Sequence, residues 1–327
     1  MGIDLRSVVL GVVAVVGCAG VGAAERDVED CLLDAIEVAT PDSRVGELRE
    51  KCGDRESRVA SVVDERLFDE HLLENNPFVI TAHKPNYVLP ATYMARPNTA
   101  PYTDLQGDLQ HWEVKFQLSL KFQVASGVLG SGSRVFFAYT NQSYWQAYNK
   151  RFSSPFRETN HEPEAFVVIP QRWSLYGLRA RVVALGINHQ SNGRPGRQSR
   201  SWNRLFGTLI LERGSMVLSL RSWYRLPEPK KETPDDPLGD DNPDILDYMG
   251  RGELRLVRKL GRNTVSVMLR NNLNEDNRGA VELGWSFPLG RRLKGYVQYF
   301  DGYGESLIDY DARIRRIGVG VALTDWL

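Results

Sequence analysis

The chain of 327 residues balances 41 Lys and Arg against 41 Asp and Glu, with 42% hydrophobic and 25% charged residues. A formal net charge of zero excludes the global basic bias on which nucleic-acid binding rests. Beyond residue 24 there is no apolar run of the ~18 residues that a membrane-spanning helix needs. That leaves a soluble fold or a β-barrel, whose membrane signal is diluted over alternating strands.

The first elements in chain order are a leader and a helical stretch. Residues 1–24 carry one Arg, an apolar core from Val8 to Val16 and small residues up to Ala24, the pattern of a secretory signal cut after Ala24. A rival reading takes Val15-Val16-Gly17-Cys18 as a lipoprotein processing site with Cys18 acylated. Residues 25–76 are charge-rich, and Val62, Val63, Leu67, Leu72 and Leu73 recur at helical spacing. This predicts a small helical periplasmic extension, stapled by Cys31–Cys52 in an oxidising compartment.

From Lys84 the period changes to two. In "WEVKFQLSLKFQV", 112–124, Val114, Phe116, Leu118, Leu120, Phe122 and Val124 share one face, and Glu113, Lys115, Gln117, Ser119, Lys121 and Gln123 share the other. A strand this long exceeds the ~5–6 residues usual in globular sheets and suits a tilted membrane crossing. The same pattern predicts strands at 84–93, 112–124, 133–145, 163–172, 178–190, 202–213, 215–226, 247–258, 263–271, 279–288, 292–302 and 313–325. Their connections alternate long and short, the habit of barrels with external loops and short periplasmic turns. The expected fold is therefore all-β: a twelve-stranded antiparallel transmembrane β-barrel over 77–327, behind a short helical N-terminal extension. A soluble β-sandwich is the competing fold, with shorter strands and more even turns.

Strand parity also singles out one loop. In "LRARVVALGINHQS", Val183, Leu185 and Ile187 continue into His189 and Ser191. In "WNRLFGTLILER", Leu205, Leu209 and Leu211 extend back to Asn203, while Trp202, Arg204, Thr208 and Glu212 suit the lumen. His189, Ser191 and Asn203 thus lie on the lipid-facing parity at the outer rim, where polar side chains are costly and mark function. A serine becomes nucleophilic when an adjacent base takes its proton, and a third group must fix the base's tautomer. Ser191 would be the nucleophile, His189 the base and Asn203 the orienter, with the Gly193 backbone N–H open to an oxyanion.

"NHQSNGR" followed by "SRSWNR" resembles the active-site signature of bacterial outer membrane phospholipase A. "YTNQSYWQ", "SSPFRETNHEP", "DDNPDILDYMG" and "GYGESLIDYD" are similar to the same family, in order along the barrel, whereas residues 25–76 are not part of the likeness. The resemblance implies hydrolysis of acyl esters of phospholipids and lysophospholipids, calcium (Ca2+) dependence, and activation by homodimerisation in the bacterial outer membrane, with the site towards the outer leaflet. By motif position it implies that Arg194 and Ser199 supply calcium ligands from one subunit and Ser153 from the other. Gln190 stands where the best-known members have Asp; it points to the opposite face, so little effect is expected.

Outside this constellation the expectations are plain. His71, His83, His111 and His161 show no metal-ligand spacing and read as structural. "ETPDDPLGDDNPD" lacks the regular spacing of a calcium loop and reads as a solvated external loop. Asn141 shares lipid-facing parity with Val135, Phe137 and Tyr139 and could hydrogen-bond across a dimer interface. The rival functional class is a non-enzymatic barrel, a channel or structural protein.

Overall fold

Alternation of apolar and polar residues lets each long strand present hydrocarbon outward and polar groups inward, and a sheet built this way satisfies its backbone only by closing. The computed structural model describes residues 62–63, 80–102, 109–130, 132–233, 235–290 and 293–326. The expected leader and the Cys31–Cys52 staple lie outside the described residues. Twelve long strands form one antiparallel ring. They are β1 (Asn86–Met94), β2 (Trp112–Ser126), β3 (Arg134–Trp145), β4 (Phe156–Pro170), β5 (Leu178–Ser191) and β6 (Ser201–Arg213), then β7 (Met216–Arg225), β8 (Gly252–Leu260), β9 (Asn263–Asn271), β10 (Gly279–Pro288), β11 (Lys294–Tyr303) and β12 (Arg313–Thr324). Each pairs with its sequence neighbours, and β12 pairs back onto β1, which closes the barrel. Two short strands, Thr81–Ala82 and Ser174–Leu175, add to β2 and β5.

The faces divide as the parity predicts. Leu118, Val124, Ile187, Leu205, Trp285 and Val319 are exposed on the outer wall, while Glu113, Lys115 and Ser119 on β2 are buried inside. Buried charges persist only when paired. Arg157 is held by Glu113 at 2.8 Å and Asp309 at 2.7 Å, and Glu305 is held by Lys115 at 3.0 Å and Arg316 at 2.9 Å.

The long-loop end of the lumen is packed rather than open. The loop 304–312 folds inward, burying Leu307, Ile308 and Tyr310. Leu307 and Tyr310 join Trp202 and Trp223 in one cluster with Ile245 and Met249 of a short helix, α1 (Ile245–Met249). A cavity of about 380 Å³ lies in the lumen, lined among others by Val63, Lys84, Glu162, Arg221, Arg255 and Glu282. Val62 and Val63, in a helical segment, pack on Val217, and the Val63 N–H donates to Glu212 at 3.3 Å.

Two strand starts differ from the sequence reading. The fourth strand begins at Phe156 rather than near 163, because "RETNHE" is polar on both faces and hides its alternation. The eighth begins at Gly252 rather than near 247; residues 245–249 are helical, and Gly250, at φ +63, turns the chain out of α1.

Candidate active site

The site is built on the β5–β6 hairpin. Its register sets His189 opposite Asn203 and Ser191 opposite Ser201, so one residue type faces another without any long-range packing to arrange it. Ile187 and Leu205, next along the same face, are 57% and 45% exposed, which places the pair on the outer wall. His189 Nδ1 lies 2.8 Å from Asn203 Oδ1, and the side-chain oxygen can only accept, so Nδ1 carries the proton and Nε2 is left with a lone pair. Ser191 follows two residues on, with the same parity. Among the described residues no hydrogen bond joins its hydroxyl to His189. Gly193 sits at φ +64, a left-handed conformation that a side chain would strain. It is exposed, and among the described residues its N–H has no acceptor.

The loop between the two strands is ordered from inside by a buried asparagine. Asn192 Nδ2 donates to the Gln198 carbonyl at 2.8 Å, and its Oδ1 accepts from the backbone N–H of Arg200 at 2.9 Å and of Arg194 at 3.3 Å. The Arg194 guanidinium turns back into the barrel, donating to the Arg157 carbonyl at 2.6 Å, Gln198 Oε1 at 2.8 Å and Glu158 at 3.3 Å. Ser199 donates to Asp241 Oδ2 at 2.9 Å, as does Ser201, while Lys231 reaches Asp241 Oδ1 at 2.6 Å. Ser153, at φ +58 after a turn of 3-10 helix (Lys150–Phe152), lies in the loop between β3 and β4 at the same end of the barrel.

This donor set fits a hard cation. The Ser199 hydroxyl donates its hydrogen to Asp241, which leaves the oxygen's lone pairs free to accept. Calcium takes carbonyl and hydroxyl oxygens with water. Among the described residues no group of three or more His, Cys, Asp or Glu is placed to hold a metal. The acidic loop is spent on its own supports: Asp240 pairs with Arg225, and Asp236 accepts from the backbone N–H of Thr233 at 2.9 Å.

Two residues join the site that the sequence reading did not place there. His161 was expected to be structural, yet β4 sets it directly opposite Ser191, and its ring is the nearest neighbour of a Cβ built on Gly193, at 3.9 Å. Tyr139 Oη is 2.6 Å from its Nδ1, and Asn141, outward as expected, lies at 3.5 Å. Extending β4 back to Phe156 and registering it against β5 would have found it. The second is Glu228, whose Oε1 accepts from Asn203 Nδ2 at 3.1 Å. Of the other histidines, His83 pairs with Glu164 at 2.7 Å in the lumen and His111 Nδ1 lies 2.7 Å from the Met94 carbonyl, while His71 lies outside the described residues.

A closed barrel with an apolar outer wall, on which a hydroxyl stands beside a hydrogen-bonded imidazole and amide, has the architecture of an integral membrane barrel. Comparison with known proteins narrows this class. The family model for phospholipase A1 matches residues 63–323. Phospholipase A1 of Escherichia coli K12 is 39% identical over 261 residues, 79% of this chain and 85% of that protein, and the Klebsiella pneumoniae protein is 38% identical over 253 residues, 77% and 84% of the two chains. The solved outer membrane phospholipase A of E. coli superposes with a TM-score of 0.71 at 39% identity, covering 77% of this chain and 95% of its own. That of Salmonella typhi, solved as a dimer with bound calcium, gives 0.71 at 38% identity over 78% and 96%. The chain belongs to the phospholipase A1 family and is an outer-membrane enzyme.

Proposed function

We propose that the enzyme hydrolyses acyl ester bonds of phospholipids and lysophospholipids by a calcium-dependent Ser191–His189–Asn203 mechanism, completed when two copies associate. The observation that carries this reading is the 2.8 Å contact between His189 Nδ1 and Asn203 Oδ1 on the lipid-facing wall, two residues from Ser191. With Nδ1 protonated, Nε2 takes the proton from Ser191 Oγ as it attacks the ester carbonyl. The new negative oxygen is met by the Gly193 N–H. As the carbon–oxygen bond to the glycerol breaks, Nε2–H returns the proton to the departing alkoxide. Water, deprotonated by the same nitrogen, then attacks the acyl-enzyme and frees the fatty acid and Ser191. Asn203 accepts from Nδ1 throughout and keeps the imidazolium in place.

In this reading Arg194 and Ser199 of one subunit, with Ser153 of the other, would hold calcium through backbone or hydroxyl oxygens. Calcium supplies positive charge that offsets the developing oxyanion. A ligand set drawn from both subunits would tie activity to association, and a relative solved as a dimer with bound calcium supports the reading. The site lies at the long-loop end, so it serves the outer leaflet. The leader of residues 1–24 and the stapled extension complete the precursor in the same reading.

The deciding measurement is fatty-acid release from phospholipid in mixed micelles, for wild type and Ser191→Ala, with and without chelator. Activity that falls to background in the variant and in chelator supports the assignment; undiminished release by Ser191→Ala overturns it. Cross-linking should trap dimers when calcium and a substrate analogue are present, and a strictly monomeric active enzyme contradicts the role of Ser153.

A further inference from the structure

We propose that Glu228 is a positioning residue for this reaction, a fourth member of the chain Ser191–His189–Asn203–Glu228 that fixes which end of the Asn203 amide meets the base. The inference rests on the reading just given and concerns a residue outside the triad.

An asparagine side chain offers an oxygen and a nitrogen of nearly equal size, and either can be turned to a neighbour. Turned one way, Oδ1 accepts from His189 Nδ1–H and leaves Nε2 as the base. Turned the other, Nδ2 donates to Nδ1, which moves the imidazole proton to Nε2 and removes the base. A carboxylate beside the amide decides the matter, since it accepts and cannot donate. Glu228 Oε1 is 3.1 Å from Asn203 Nδ2, and Asn203 Oδ1 is 2.8 Å from His189 Nδ1, so the two bonds run in series through one amide. The carboxylate also polarises the amide, leaving more negative charge on Oδ1 when the imidazolium forms.

Three further observations favour this role over an incidental surface contact. Two cations of the same segment are held elsewhere: Arg225 by Asp240, and Lys231 by Asp241 at 2.6 Å. Among the described residues Glu228 itself makes no ion pair, so its charge is directed to Asn203. The backbone is also pre-set. The two-residue turn after β6 registers Arg213 with Met216 and carries Arg204 to Arg225; beyond the ladder, the Leu226 N–H donates to the Asn203 carbonyl at 2.8 Å. Glu228, two residues on, is flanked by Pro227 and Pro229, and a residue before proline is confined to extended conformations. The carboxylate is therefore offered from a stiff segment that the hairpin register aims at the triad.

The test is a double-mutant cycle on the full-length protein in micelles, with a spectroscopic control. Glu228→Ala should lower kcat about 10-fold, the scale of a lost hydrogen bond to a charged group, with KM within about two-fold. In an Asn203→Ala background the same substitution should cost nothing further, because the residue it acts through is gone. Asn203→Asp sets two carboxylates side by side, so adding Glu228→Gln should raise its activity. Equal losses from Glu228→Ala in both backgrounds, or no loss in either, overturn the proposal. Circular dichroism melting identifies any variant whose fold has failed, and Glu228→Gln then replaces Glu228→Ala in the cycle. Independently of turnover, the exchangeable Nδ1 proton of His189 in 15N-histidine-labelled Ser191→Ala protein should resonate downfield with Glu228 present and move or broaden in Glu228→Ala. An unchanged resonance also overturns the proposal. An enzyme without Ser191-dependent activity but with that shift would sink the hydrolytic reading and leave the positioning role standing.

Discussion

His189, Ser191 and Asn203 leave β5 and β6 outward and half-exposed, and among the described residues no hydrogen bond joins Ser191 to His189. One residue along the same strands, Asn188, Gln190, Trp202 and Arg204 point inward. There Arg204 donates to Asn188, to Gln190 at 3.3 Å and to Glu162 at 3.4 Å, and its guanidinium stacks 3.9 Å above the Trp202 ring. Gln190 Oε1 accepts from Trp202 Nε1 at 2.9 Å. The inner face is dense with partners, though Arg204 Nε has none among the described residues; the outer face carries fewer bonds, and among the described residues none joins Ser191 to His189. The difference teaches that the two jobs are divided by parity: the lumen network holds the two strands at fixed separation, so that a sparse outer chain can stay reactive without collapsing into pairs of its own.

Substitutions on the two faces should therefore fail in different ways. The largest effect is expected outside: Ser191→Ala or His189→Ala should lower kcat by about 10⁴-fold or more while leaving the urea midpoint of unfolding in micelles unchanged. Next is removal of calcium. A chelator should abolish release of fatty acid, and Asp241→Asn, which weakens the orientation of Ser199, should raise the calcium needed for half-maximal activity several-fold; an unchanged calcium titration would detach Asp241 from the site. Inside, Arg204→Ala should give the reverse pattern. It should cost about 1–3 kcal/mol of stability by removing the donor to Asn188 and Gln190 and the cation stacked on Trp202, while Lys84 still holds Glu162 at 2.7 Å, and should lower kcat of the folded enzyme less than ~10-fold. A stable but inactive Arg204→Ala protein would break the division between the faces. The smallest effect is expected at Gln190→Asn, between the base and the nucleophile in sequence but in the lumen in space, where activity should stay within about two-fold.

Much of this was legible in the sequence because a barrel writes its structure in a period of two. The alternation of 112–124 and of 178–190 set the faces, and His189, Ser191 and Asn203 declared themselves as polar residues on an apolar parity. Where both faces are polar, the signal vanishes. Arg157, Glu158, Asn160 and Glu162 point to lumen partners while Thr159 and His161 share the outer side, so the first half of β4 read as loop and His161 was missed. Residues 247–249 read as the start of a strand because an apolar pair around Asp247 and Tyr248 fits a short helical turn equally well. Glu228 was hidden for another reason. Its partner is fixed by the path of the 226–251 connection, and no local pattern records where a loop returns.

The outward placement of the triad has a kinetic consequence. An enzyme with a cleft samples substrate from a volume; with Ser191 as the proposed nucleophile on a convex wall, substrate would be sampled from the plane in which the wall is embedded. Encounter is then lateral diffusion in two dimensions, and the concentration that governs rate is the mole fraction of ester-bearing lipid in the surrounding layer. Diluting the phospholipid with inert detergent at constant bulk concentration should slow the enzyme in proportion, as though the membrane itself were the solvent.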